Sequence, residues 1–68
     1  MTTAIDVKQH LMLLREERAL AIEAGLDADL AYMDDLDDEI AATHAAWIGA
    51  AVTEIATLRG QLDGPQYG

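Results

Sequence analysis

The stretch Leu20-Ala21-Ile22-Glu23-Ala24-Gly25-Leu26-Asp27-Ala28 decides the fold. Good helix formers run up to Ala24 and stop at Gly25. Glycine takes the left-handed conformation that commonly follows a helix C-terminus, because it has no Cβ to clash. Leu26 is placed to fold back onto Leu20 or Ala21, the apolar contact that accompanies such a cap. Asp27 follows as an N-cap for a second helix. Gly25-Leu26-Asp27 therefore reads as a tight connection, and the chain as an all-α antiparallel helical hairpin.

Upstream, Thr3 and Asp6 approximate a capping box, with Asp standing where Glu is usual. The first helix is expected over about residues 4–24. Val7, Leu11, Leu14 and Ile22 share one of its faces, while Leu13 and Leu20 lie nearly opposite. A helix apolar on two sides is sandwiched between neighbours, and in a two-helix protein the second neighbour belongs to another chain.

Downstream there is no stop before Gly60 or Gly64-Pro65. Leu26, Leu30, Met33, Leu36, Ile40, His44, Trp47, Ala51, Ile55, Leu58 and Leu62 recur in steps of three and four, the pattern of a long amphipathic helix. From residue 28 to 62 it would run roughly 52 Å, against roughly 31 Å for the first helix. Folded back from Gly25, the first helix should reach the level of Trp47. Trp47, Ile48, Val52, Ile55, Leu58 and Leu62 then form an apolar stripe at or beyond its reach, which is an association surface by default. The alternative is a break near Gly49 that yields a closed three-helix bundle. Ala45, Ala46, Gly49, Ala50 and Ala51 are small enough to permit close helix–helix approach. Residues 1–63 make one domain, and 64–68 a flexible tail.

The chain has 68 residues, and a core that small seldom stabilises itself without disulfides, metal or association. It contains no cysteine, so self-association or docking on a partner is the expected source of stability. Its net charge of −9 disfavours direct contact with nucleic acid or anionic membranes and favours a protein with a basic surface. The start Met1-Thr2-Thr3-Ala4-Ile5-Asp6 lacks the basic-then-apolar order of a secretory signal. The most apolar run, Ile40 to Val52, is too short to span a bilayer.

The acidic run Asp34, Asp35, Asp37, Asp38, Glu39 puts like charges one helical turn apart, at Asp34/Asp38 and Asp35/Glu39. It reads as a solvated face, a patch that steers a basic partner, or a surface cation site. It lacks the alternating acids, central glycine and terminal Glu of a calcium loop. His44 lies on the apolar stripe, but Ala41 stands where a di-metal bundle would need Glu, and His10 reads as a surface residue. No metal or cofactor is expected. Neither Cys nor Ser is present as a nucleophile, and the isolated glycines build no phosphate loop. No catalytic residues are assigned, and a non-enzymatic role is expected.

Trp47-Ile48-Gly49 matches the W-x-G tripeptide of secreted helical-hairpin proteins, in which it sits at the inter-helix turn; here the turn lies at Gly25. The stretch Ala51-Val52-Thr53-Glu54-Ile55-Ala56-Thr57-Leu58-Arg59-Gly60-Gln61-Leu62-Asp63-Gly64-Pro65-Gln66 resembles the ends of small helical proteins of actinobacterial phages. That resemblance covers about the last third of the chain in detail. It implies a virion or assembly protein (a head decoration, minor capsid or connector-associated subunit), homo-oligomeric and found in the virion or the bacterial host's cytoplasm. The competing expectation is a small acidic inhibitor, a nucleic-acid mimic or antitoxin-like cap acting on a basic protein.

Overall fold

A computed structural model describes residues 2–62; the expected tail at 64–68 lies outside them. Two helices pack against each other: α1, Ala4–Glu23, and α2, Leu30–Leu62. Thr3 caps α1 as its sequence predicts. The Thr3 hydroxyl accepts the Asp6 backbone N–H at 3.2 Å, and the Asp6 carboxylate accepts the Thr3 N–H at 3.2 Å. The shorter Asp side chain closes the box as Glu would.

At the other end Gly25 takes φ +81° and donates its N–H to the Ile22 carbonyl at 3.0 Å. The connection then departs from expectation. Leu26–Ala28 wind into a single 3-10 turn, and α2 begins at Leu30, two residues later than residue 28. Asp29, not Asp27, caps it. The Asp29 carboxylate accepts the Tyr32 N–H at 3.1 Å, and its carbonyl accepts the Met33 N–H at 3.0 Å. The sequence offers an Asp at both positions, and the turn decides between them. Asp27 is consumed inside it, whereas Asp29 leaves it extended, the backbone an N-cap needs.

The interface is a heptad seam. The buried or half-buried residues of α1 are Ala4, Val7, Leu11, Leu14, Arg18 and Ala21, in alternating steps of three and four. Met33, Leu36, Ile40, Thr43, Trp47 and Ala50 repeat that rhythm in α2. Fully buried apolar side chains are few: Leu11 (1% exposed), Leu14, Ala21, Met33 and Leu36. Leu11 and Leu14 sit in the middle of α1, Ala21 in its last turn, and Met33 and Leu36 in the first two turns of α2. Ile22, expected on this face, is exposed, because the step of three from Arg18 lands on Ala21.

α2 runs unbroken through Gly49 and Gly60 to Leu62, so the three-helix alternative does not form. Gly49 is exposed and a Cβ there would meet nothing within 4 Å, so it is not a point of close approach to α1; its neighbours Ala50 and Ala51 are half-buried. Opposite responses at two glycines follow. Gly25→Ala should lower stability by about 1–2 kcal/mol, the strain of a left-handed Cβ-bearing residue. Gly49→Ala should raise it by about 0.5–1 kcal/mol through helix propensity. Urea unfolding followed by circular dichroism at one fixed protein concentration checks both signs.

Candidate association surface

Partners across the seam run in opposite orders along the two helices. Near the turn the Tyr32 hydroxyl donates to the Glu17 carboxylate at 3.4 Å, and the Arg18 guanidinium pairs with Asp37 at 2.7 Å. Further along, His10 lies 3.6 Å from Glu39, an ion pair when His10 is protonated. The Lys8 ammonium stands 5.5 Å from the centre of the Trp47 ring, which His44 also meets edge-on at 5.9 Å. At the far end the Ala4 N–H donates to the Glu54 carboxylate at 2.7 Å. The hydrogen bond and charge of Asp37 hold the Arg18 pKa above its ordinary value. Partial burial, aided by the Glu17 charge and hydrogen bond, pushes the Tyr32 phenol up.

Two expectations change. Trp47 does not lie bare at the edge of the first helix's reach: it is half-buried beneath Lys8, and contact extends to Glu54. The acidic run is also divided. Asp37 and Glu39 face α1's Arg18 and His10, while Asp34, Asp35 and Asp38 are exposed and have no hydrogen bond or ion pair among the described residues. Sequence reading missed these cross-helix pairs because their register depends on where the turn ends. Among the described residues, no group of three or more His, Cys, Asp or Glu could hold a metal ion, and no helix is long and apolar enough to cross a membrane.

Beyond Ala51 every described residue of α2 is exposed. The seam that faces α1 would continue at Glu54, Thr57 and Gln61, which are polar. Thr53 and Thr57 donate their hydroxyls back to the carbonyls of Gly49 and Thr53, at 2.8 and 2.9 Å. The apolar character moves instead by one residue, to His44, Ile48, Ala51, Ile55, Leu58 and Leu62. One residue is about 100° around a helix, so this second seam turns to the side of α1: His44 and Ala51 are half-buried and its other four residues are exposed. Ile48 is 47% exposed, Ile55 59%, and Val52, Leu58 and Leu62 are similarly open. Of the six residues expected at the association surface, five therefore share one exposed region, and Trp47 borders it from the α1 side.

The divided acidic run makes a directional prediction. Asp37→Asn should loosen the hairpin by removing Arg18's partner, an effect that fades with added salt. Asp38→Asn, which relieves repulsion with Asp34 one turn away, should not. Thermal melts at low and high ionic strength distinguish the two.

Compared with known proteins, the chain matches no protein-family model, no curated protein and no solved structure.

Proposed function

We propose that the chain is a non-enzymatic assembly protein, an antiparallel helical hairpin that binds other protein through the apolar face of the distal half of α2. One observation carries this reading. Ile48, Val52, Ile55, Leu58 and Leu62, five large aliphatic residues within four helical turns, are each about half exposed on a helix too long for α1 to cover. Water-exposed apolar surface of this extent on so small a chain is costly unless a partner covers it. The thin core and the absence of cysteine point the same way, since covering the stripe adds the burial that the hairpin lacks.

Asp34, Asp35 and Asp38 add a second element: outward-facing acids that steer a basic protein surface towards the hairpin. The specific role we propose is a phage virion component, on the resemblance of residues 51–66 to small phage proteins. An inhibitor that mimics nucleic acid is less well supported. Such a mimic needs carboxylates spaced along a face like phosphates, and these acids are gathered within little more than one turn.

Quantitative mass spectrometry of particles from the producing cells tests the role. The parent chain should be present in many copies per particle, and an Ile55→Asp variant should be lost from them. Absence of the parent from particles, with salt-sensitive capture on a DNA-binding protein, would instead establish the inhibitor.

A further inference from the structure

We infer that the occupant of the exposed seam on α2 is a second copy of this chain, aligned parallel and in register as a two-stranded coiled coil over residues 44–62. The inference rests on the association surface proposed above and names its partner. His44, Ile48, Ala51, Ile55, Leu58 and Leu62 are separated by four, three, four, three and four residues, an unbroken heptad rhythm. In heptad terms Ile48, Ile55 and Leu62 fall at a, and His44, Ala51 and Leu58 at d. Two of the three a positions are isoleucine and Leu58 stands at d; β-branched a residues with leucine at d favour two parallel strands, and the residues around Ile55 and Leu58 carry that combination.

The flanking residues complete the match. The positions beside this seam on the α1 side, g, are Trp47, Glu54 and Gln61; on the other side, e, they are Ala45, Val52 and Arg59. In a parallel pair, a g residue meets the partner's e residue five positions on. Trp47 then meets Val52 of the second copy, and Glu54 meets Arg59. Glu54 and Arg59 are the only charged residues of α2 beyond Glu39. At a separation of five they do not face each other along one helix, and Arg59 has no ion-pair partner among the described residues. The twofold axis of a parallel pair gives each Arg59 an acidic partner, the Glu54 carboxylate that also accepts the Ala4 N–H. An antiparallel pair would instead bring Glu54 against its own copy.

The remaining charge is arranged to permit this contact. Residues 40–62 carry one acid and one base, so two distal halves meet without net repulsion in a chain of charge −9. Carried upward, the seam's rhythm reaches Ala41 and then Asp37, which Arg18 holds. The coiled coil therefore ends near Ala41, and the acidic halves diverge above it. α1 packs about 100° away around α2, so Ile48, Ile55, Leu58 and Leu62 stay exposed while His44 and Ala51 are half-buried.

The 68 residues include no cysteine, so orientation can be read with a single added thiol. Leu58→Cys, at a d position exposed in the single chain, should oxidise to a disulfide-linked dimer, because in a parallel pair Leu58 faces its own copy. Sedimentation equilibrium should show a dimer for the parent. Glu54→Arg or Arg59→Glu alone should weaken it on the order of tenfold by placing like charges together twice, and the double exchange E54R/R59E should restore it. These are surface positions, and parent-like helicity by circular dichroism confirms that each variant is folded. A parent that stays monomeric at up to about 1 mM with its helicity intact overturns the second copy as occupant. The assembly role then stands or falls separately on the particle experiment. A dimer in which Leu58→Cys does not cross-link, or in which the double exchange fails to restore affinity, overturns the parallel register.

Discussion

The structure depends on an inequality of length. A helix of 20 residues is folded against one of 33, and apolar side chains need cover along the whole of both. Up to Ala51 the requirement is met within the chain, with Leu11, Leu14, Ala21, Met33 and Leu36 buried. Past Ala51 it is not, and the chain responds in sequence rather than in shape. The line facing α1 becomes polar, and the aliphatic residues move one position around the helix. A helix that merely overran its partner would have no need of isoleucine and leucine there.

Charge follows the same division. The acids crowd the half in which the two helices hold each other, and part of their mutual repulsion is offset across the interface by Arg18, and by His10 when it is protonated. The distal half is almost free of charge. One end of the rod is thus solvated, acidic and closed by its own contacts, while the other is apolar and open. Such polarity suits a component that inserts one end into an assembly and presents the other to water or to a basic neighbour.

Local rules made much of this legible from the residues alone. Thr3 and Asp6, Gly25 after Ala24, and the unbroken run to Leu62 each depend on neighbours only a few positions away, and each appears as its chemistry dictates. What failed was register. Asp29 rather than Asp27 caps α2, Trp47 lies under Lys8, and the reach of α1 extends to Glu54. Pairs such as Arg18–Asp37 cannot be counted out before the turn is known, because one residue rotates a side chain by about 100°. The second seam was blurred for a related reason. A stripe traced in mixed steps from Leu26 to Leu62 crosses from one face to the other near His44, merging two interfaces into one. The function was less legible still, because helix–helix association needs no diagnostic residue.

The distal half of α2 lacks cover from its own chain, its aliphatic residues from Val52 to Leu62 being more than half exposed. Hydrogen–deuterium exchange over amides 55–62, followed across protein dilution, tests it most directly. These amides lie within the helix but face no α1 residue, so in the dilute chain they should exchange fast while those of Leu36 and its neighbours stay protected. Concentrating the protein or adding its partner should slow them. Strong protection of 55–62 at high dilution, unchanged by concentration or partner, would mean that this half of the helix stands alone and would contradict the account.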